Sequence, residues 1–240
     1  MSVGLRYRAL FCYLVILKVK EGRSGDRFLF TKDLKADMAQ GLSCTSDNKS
    51  SLRKELLLKR RALESGAWLE KSGAVASFLR CMDAFRDARK VHCYVSMDAE
   101  REVCTSGILE WLDSERKEIY MPYIEAGRMV TVQYMPGQSF SPSKVGPPVP
   151  DPLVFSEEER FDIVIVPLVG VDRNGARLGF GMGWYDRFFD HLTSRGIFPL
   201  RIGLAFEFQF VPVVPSDPWD QLLDVVVTEN EIVNCMRSRA

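Results

Sequence analysis

The chain has 240 residues, of which 46% are apolar, and its 32 Lys and Arg residues balance 32 Asp and Glu residues. A chain of this length buries roughly 70% of its unfolded surface in one core, so it needs neither disulfides nor a structural metal for stability. Zero net charge excludes the broad basic field behind non-specific nucleic-acid binding, and no apolar run reaches the ~18 residues of a membrane span. We therefore expect a globular protein that binds neither nucleic acid nor membrane.

The first 45 residues differ from the rest. Arg6 and Arg8 precede a short apolar stretch that has the length of a signal-peptide core but lacks a small-x-small cleavage site, and the acidic residues that follow are untypical of a transit peptide. Met38 begins a chain of about 200 residues that is interpretable by itself. We assign residues 1–45 to an N-terminal extension, either a targeting segment or no part of the fold, and residues 46–240 to one domain. We expect a cytoplasmic protein, or a mitochondrial one if the extension is a presequence.

The six cysteines contain no C-x-x-C pair, and the chain has only two histidines. A zinc site or a redox motif would need such paired spacing. We interpret the cysteines as free thiols of a reducing compartment, namely Cys12, Cys44, Cys81, Cys93, Cys104 and Cys235.

Two amphipathic helices open the domain. Asp47 or Asn48 can cap the first helix, which has an apolar side and, along another stripe, a cationic edge. The second helix is predicted over residues 68–86, where apolar residues at a 3.6-residue period should face a core. The apolar side of the first helix consists of Leu52, Leu56 and Leu63, and its cationic edge of Lys49, Arg53 and Arg60.

Strand-forming runs then alternate with helical segments, which indicates an α/β fold. Two runs, residues 162–167 and 222–228, are apolar on both faces, as in the central strands of a parallel sheet covered by helices on each side. The Pro-rich residues 136–152 predict a surface loop. Other strands are predicted over residues 91–95, 118–122, 129–134 and 200–206, and helices over residues 106–114 and 185–195.

The loop before the last helix predicts an anion site. Gly179, Gly181 and Gly183 leave backbone N–H groups accessible, and the helix that follows points its positive end at the loop. Arg177 can neutralise phosphate oxygens, and Asp186 is placed to hold a Mg²⁺ that bridges them. Neither the dinucleotide fingerprint nor the Walker pattern fits the spacing, so a plain tight turn between strand and helix is the alternative.

The run NGARLGFGMGWYDR at residues 174–187 resembles the signature of the 5-formyltetrahydrofolate cyclo-ligase family. The resemblance extends over residues 48–230. It includes the family's Lys-x-x-Leu-Arg pattern at residues 49–53, the segment at residues 96–100, and C-terminal matches at residues 203–206, Gln209, Pro215, Asp220, Asp224, Thr228 and Glu229.

This resemblance implies a reaction and a fold. Members of the family convert 5-formyltetrahydrofolate into 5,10-methenyltetrahydrofolate with ATP and Mg²⁺, and they release ADP and phosphate. The implied fold is a three-layer α/β/α sandwich with a mostly parallel central sheet, in the class shared with some sugar-phosphate isomerases and CoA transferases. Fold alone does not establish function. We expect a monomer that acts on small molecules.

The resemblance also implies the site residues. Arg177 and Asp186 would act in catalysis, Asp186 and Asp220 would bind Mg²⁺, and Glu100 would bind the folate together with Phe180, Gly181, Met182, Gly183 and Trp184. ATP would contact residues from the first helix and from the glycine loop, namely Lys49, Ser50, Ser51, Leu52, Arg53, Arg177, Leu178, Gly179, Phe180, Gly181, Met182, Gly183, Trp184 and Tyr185.

Three departures from the family pattern leave alternatives open. Trp184 replaces the more usual Tyr, Pro147 stands where many relatives have an aromatic residue, and Arg101 and Val103 replace an apolar residue and a Thr. One alternative is a catalytically impaired relative that binds folate or nucleotide, which the change at Pro147 favours. Another is a sugar-phosphate isomerase on the same fold, which would have no metal-binding pair of aspartates and no need of ATP.

Overall fold

The computed structural model describes residues 48–143 and 146–235. The predicted N-terminal extension, Asp47, Cys12 and Cys44 lie outside the described residues, so the boundary between residues 45 and 46 stays a prediction. Cys81, Cys93 and Cys104 are free thiols in the structure, as expected.

Five α-helices are described. They are α1 (48–61), α2 (Ser65–Cys81), α3 (Asp83–Asp87), α4 (Ser106–Ser114) and α5 (Trp184–Ser194). Two 3-10 turns, Asp98–Glu100 and Glu207–Gln209, add to them.

Eight strands form one sheet in the order β12-β11-β10-β7-β1-β2-β3-β6. Their bounds are β1 (Lys90–His92), β2 (Glu118–Glu125), β3 (Arg128–Tyr134), β6 (Val154–Ser156), β7 (Ile163–Pro167), β10 (Leu200–Leu204), β11 (Val225–Val227) and β12 (Ile232–Asn234). Two ribbons pair β4 (Ser139–Ser141) with β5 (Val149–Asp151) and β8 (Gly170–Val171) with β9 (Arg177–Leu178).

The centre of the sheet is parallel and its edges are antiparallel. Strand β7 pairs in parallel with β1 and with β10, while β2–β3, β3–β6 and β11–β12 pair in antiparallel fashion. Because successive side chains of a strand point to opposite faces, Ile163 and Ile165 join one core and Val164 and Val166 the other. Helices α2, α3 and α4 cover the first face and α5 covers the second, which confirms the predicted α/β/α layers.

Two sequence predictions were partly wrong. The helix predicted over residues 68–86 ends at Cys81, because Met82 adopts an extended conformation with ψ of 123°, and the short helix α3 follows. The Pro-rich loop contains the ribbon β4–β5, in which Pro150 lies opposite Phe140. A two-stranded ribbon tolerates this proline because one edge of each strand needs no N–H donor. The ring of Phe140 stacks on Tyr134 at 5.5 Å between centroids.

Helix α1 packs beside the turn that begins the β8–β9 ribbon. Leu56 is 1% exposed, and a Cβ atom on Gly170 would lie 2.5 Å from its Cδ1 atom, so the close approach requires glycine. This contact places the cationic edge of α1 near the carboxyl ends of the parallel strands. Within the described residues, no helix is both long and apolar enough to cross a membrane.

We predict that Gly175→Ala destabilises the protein by at least about 2 kcal/mol. Gly175 has φ of +84°, and a Cβ atom there would lie 2.4 Å from the backbone oxygen of Leu223. The matched control is Gly73→Ala, in an exposed part of α2 with open space around the new methyl group, which should stabilise the protein by up to about 1 kcal/mol. Urea denaturation measures both effects, and equal stability of the two variants would contradict the prediction.

Candidate active site

A cavity of about 990 Å³ lies at the carboxyl ends of the parallel strands. Its walls come from α1, from the segment after β1, from the end of β7, from β2 and β3, from residues 146–149, from the glycine loop and from residues 217–221. Ligands of open α/β sheets collect at this edge, since the loops after the strands converge there. The volume is at the upper end of the roughly 300–1,000 Å³ found for small-molecule sites, which leaves room for more than one small substrate.

The cationic edge of α1 reaches two different loops. Lys49 Nζ donates to Asp217 Oδ2 at 2.6 Å and to Asp220 Oδ2 at 2.7 Å, and Arg53 Nε donates to the backbone oxygen of Gly179 at 2.7 Å. Burial opposes the charge of Lys49, but its hydrogen bonds to the two aspartates outweigh this effect and raise the pKa of Lys49 above its usual value. Two cations on successive turns of α1 therefore hold the glycine loop and the aspartate loop, residues 217–221, at the same cavity.

Glycine is required at two positions of the loop. Gly181 has φ of +99°, and a Cβ atom there would lie 3.4 Å from Arg53 Nη2. Gly183 has φ of +63° and is the N-cap of α5. Side chains at these positions would strain the backbone, and they would crowd Arg53 at Gly181 and Arg187 at Gly183. The sequence interpretation of a glycine turn that leads into a helix N-terminus is confirmed.

The two aspartates predicted to bind metal, Asp186 and Asp220, both line the cavity. Asp186 Oδ1 accepts hydrogen bonds from Arg177 Nη2 at 2.7 Å and from the backbone N–H of Gln221 at 3.0 Å, which places it next to the loop of Asp220. Asp220 Oδ2 accepts from Lys49 and from the N–H of Asp217. The described part of the chain holds no group of three or more His, Cys, Asp or Glu residues fit for a metal. Two carboxylates suit Mg²⁺, which usually completes its shell with water and substrate phosphates.

Arg177 has a different environment from the one expected. Its side chain is 6% exposed, donates to Asp186 and to the backbone oxygen of Gln221, and lies over the ring of Phe189. The guanidinium therefore orients Asp186. Its positive charge is almost completely buried at the cavity wall.

Glu100 is paired with an arginine that the sequence interpretation did not include. Arg61 donates to both carboxylate oxygens, with Nη2 2.8 Å from Oε1 and 2.7 Å from Oε2. Arg61 is exposed and lies on α1, eight residues after Arg53. The pairing fixes the orientation of the Glu100 carboxylate at the cavity wall.

Three buried polar atoms without a hydrogen-bond partner lie at or beneath the inner wall of the cavity: Glu102 Oε1, the Tyr185 hydroxyl and Arg60 Nη2. Glu102 and Tyr185 line the cavity, and Arg60 lies beneath the ring of Phe180, 5.5 Å from its centroid. Burial raises the pKa of Glu102 to about 7, although the N–H of Met97 and the charge of Arg60 favour the carboxylate. An unpaired buried polar atom lowers the free energy of unfolding by about 1–3 kcal/mol, so this cluster destabilises the protein.

Most of the predicted site residues line this one cavity. Ser50, Ser51 and Leu52 do not, because the two serines are exposed and Leu52 packs against the small core around Leu178. The predicted residues that do line it are Lys49, Arg53, Glu100, Arg177, Leu178, Gly179, Phe180, Gly181, Met182, Gly183, Trp184, Tyr185, Asp186 and Asp220. Pro147 lines it as well.

Sequence reasoning missed Asp217, Trp219, Arg61 and Glu102, all of which line the cavity. The spacing of Asp217 from Asp220 was a usable signal, since two acids three residues apart around Pro218-Trp219 can face one cation. Glu102 had no such signal, because a glutamate in an acid-rich segment is usually an exposed charge.

We predict that Glu102→Gln stabilises the protein increasingly as pH rises from about 4.5 to about 7. The raised pKa means that the native state retains a proton which the unfolded chain has lost, so wild-type stability falls across this window and is constant above it. The difference between variant and wild type should grow by on the order of 3 kcal/mol. Urea denaturation at several pH values measures it, with Glu110→Gln on the exposed face of α4 as control. A difference that is constant with pH would refute the prediction.

Comparisons with known proteins agree with this architecture. Residues 45–229 match the sequence model of the 5-formyltetrahydrofolate cyclo-ligase family. The chain is 30% identical over 150 residues to 5-formyltetrahydrofolate cyclo-ligase of Haemophilus influenzae, covering 59% of this chain and 77% of the relative. It is 27% identical over 202 residues to the enzyme of that name from Saccharomyces cerevisiae, covering 75% and 94%.

One solved structure resembles this chain over most of the length of both proteins. The NMR structure of Aquifex aeolicus 5,10-methenyltetrahydrofolate synthetase superposes with a TM-score of 0.68 at 30% identity, covering 80% of this chain and 95% of that one. The family match spans more than half of the chain, and the cavity lies within it. The chain belongs to the 5-formyltetrahydrofolate cyclo-ligase family, a family of ligases.

Proposed function

We propose that this protein converts 5-formyltetrahydrofolate into 5,10-methenyltetrahydrofolate with ATP and Mg²⁺, and releases ADP and phosphate. The observation that carries the proposal is the convergence of a cationic helix edge, a glycine loop and two aspartates on one cavity, which Glu100 also lines. A phosphate chain and a folate are the two substrates that such walls accommodate. The proposal gives each wall a separate task.

The reaction needs an activated formyl group. An N-formyl amide is a poor electrophile, and its oxygen is a poor leaving group. Transfer of the γ-phosphoryl group of ATP to that oxygen makes an iminium phosphate, and the folate nitrogen N10 then attacks the activated carbon. This attack closes the ring, and after N10 loses its proton the departure of phosphate gives the methenyl product. No protein nucleophile takes part, so the protein supplies orientation and charge compensation.

The phosphate side of the cavity supplies positive charge and N–H donors. Lys49 and Arg53 lie at its edge, and the glycine loop leads into the N-terminus of α5, where helix N–H groups and the dipole favour an anion. Asp186 and Asp220 would hold Mg²⁺, and their donor set fits it; the bound ion would neutralise charge on the transferred phosphoryl group. Arg177 orients Asp186 through its hydrogen bond.

The folate side of the cavity combines a carboxylate with flat apolar groups. Glu100 can accept hydrogen bonds from a ring N–H and an amine of a reduced pterin. Phe180 and Trp184 offer aromatic faces, and Arg187 lies 4.6 Å from the centroid of the Trp184 ring. Pro147, which replaces an aromatic residue of many relatives, covers part of the same wall.

We predict that Asp186→Asn lowers the rate of methenyl product formation by at least about 100-fold. The amide keeps the shape of the side chain but removes its charge and hence its affinity for Mg²⁺. The assay follows the ultraviolet absorbance of the methenyl product with Mg-ATP and 5-formyltetrahydrofolate. The control is Asp87→Asn, an exposed site on α3 outside the cavity, which should keep the wild-type rate.

Two outcomes would overturn the proposed function. If folded wild-type protein produced no methenyl absorbance while calorimetry showed that it binds folate or ATP, the protein would be a binding relative without catalysis. If it isomerised a sugar phosphate in the absence of ATP, the reaction class would be wrong. ADP measured in the same wild-type assay should equal the methenyl product one to one.

We also propose that the protein works as a monomer in the cytoplasm. An Arabidopsis thaliana relative, 26% identical over 208 residues, is named a mitochondrial 5-formyltetrahydrofolate cyclo-ligase, so the alternative compartment has a precedent among relatives. Sequencing the N-terminus of the native protein separates the two, since a start at Met38 indicates the cytoplasm and a processed end indicates an organelle.

A further inference from the structure

Glu102 differs from the other acidic residues of the cavity. It is 2% exposed, lines the cavity, and has one carboxylate oxygen without a hydrogen-bond partner. Its other oxygen, Oε2, accepts from the N–H of Met97 at 2.8 Å, and its backbone oxygen accepts from Trp68 Nε1 at 2.6 Å. Both contacts fix the residue at the cavity wall and leave Oε1 buried there without a hydrogen-bond partner.

The remaining acids of the cavity are occupied or exposed. Glu100 is paired with Arg61, Asp186 with Arg177, and both Asp217 and Asp220 with Lys49, while Asp190 is an exposed residue at the rim. Neither histidine lines the cavity, because His92 is buried between Phe161 and Phe188 and His191 pairs with Glu159. Among the described residues of the cavity wall, Glu102 is the buried acid with an unpaired oxygen.

The proposed reaction needs a proton acceptor. When N10 attacks the activated carbon, a C–N bond forms and N10 becomes a positively charged amine that still carries its hydrogen. Phosphate cannot leave to give the methenyl product until that proton is removed. We propose that Glu102 is the base of this step: Oε1 takes the N10 proton as the N–H bond breaks, and phosphate then departs with the electron pair of the C–O bond. This inference rests on the proposed function.

The surroundings of Glu102 suit this role. Burial raises the pKa of Glu102 to about 7, near the value at which a general base works best at neutral pH. The charged and titratable groups that face it are Arg60 from α1, Asp98 and Glu100 from the preceding 3-10 turn, Tyr94 after β1, and Tyr185 from α5. Arg60 is fixed by its hydrogen bonds to the backbone oxygens of Glu100 and Leu168, and its charge keeps part of the Glu102 population ionised.

The test compares Glu102→Gln with Glu100→Gln, the same change two residues earlier. Glu102→Gln should lower kcat for methenyl formation about 100-fold and change the folate KM little, whereas Glu100→Gln should mainly raise the folate KM. At saturating Mg-ATP, the wild-type kcat should rise with pH through about 7, and this rise should be absent in Glu102→Gln. The variant should also form ADP in excess of methenyl product, because the phosphoryl transfer precedes the step that fails.

The outcomes separate this inference from the proposed function. Wild-type protein that forms no methenyl product refutes the function itself. Wild-type protein that is active, alongside a folded Glu102→Gln variant with wild-type kcat and pH profile, refutes only the role of Glu102. A raised folate KM with unchanged kcat in this variant also refutes it, since the residue would then bind substrate without moving the proton. If the variant does not fold, the wild-type profile decides: a kcat that is flat from pH 6 to 8 overturns the inference.

Discussion

The site depends on one helix edge that contacts two loops. Lys49 forms ion pairs with Asp217 and Asp220, and one turn later Arg53 donates to the backbone of Gly179. Because both cations lie on a single rigid helix, the spacing between the aspartate loop and the glycine loop is set by the pitch of α1. Leu56, two turns after Lys49 on nearly the same side of the helix, packs against Gly170 and secures that helix to the β8–β9 ribbon. Packing and charge placement thus depend on neighbouring stripes of the same helix.

At the inner wall of the cavity, side chains that suit the proposed chemistry lower the stability of the fold. Glu102, Tyr185 and Arg60 each carry a buried polar atom without a partner, an arrangement that a chain selected only for stability would avoid. Burial disfavours the ionised form of Glu102, so the same desolvation that weakens the fold as pH rises from about 4.5 to about 7 gives the carboxyl its affinity for a proton. Side chains whose surroundings lower the stability of the fold are expected at functional sites.

Much of the fold was predictable because it follows from short-range patterns. The helix at residues 106–114 and the central strand within residues 162–167 were located from periodicity and from runs apolar on both faces. The break at Met82 and the ribbon within the Pro-rich segment were missed, since each depends on how the segment packs rather than on its composition. The antiparallel sheet edges were missed for the same reason, as pairing direction is a tertiary property.

The sequence by itself determined the α/β class, the glycine turn and the cationic helix edge, because these are carried by residue order within neighbouring elements. It also determined the family resemblance, which is carried by short motifs spread over residues 48–230. Tertiary structure decided which charges meet. It brought Lys49 to residues about 170 positions away, buried Arg177 against Asp186, paired Arg61 with Glu100, and placed Glu102 rather than an exposed neighbour at the inner wall. Burial and the identity of a charged partner depend on contacts between distant segments, and these quantities set the protonation and orientation of the site.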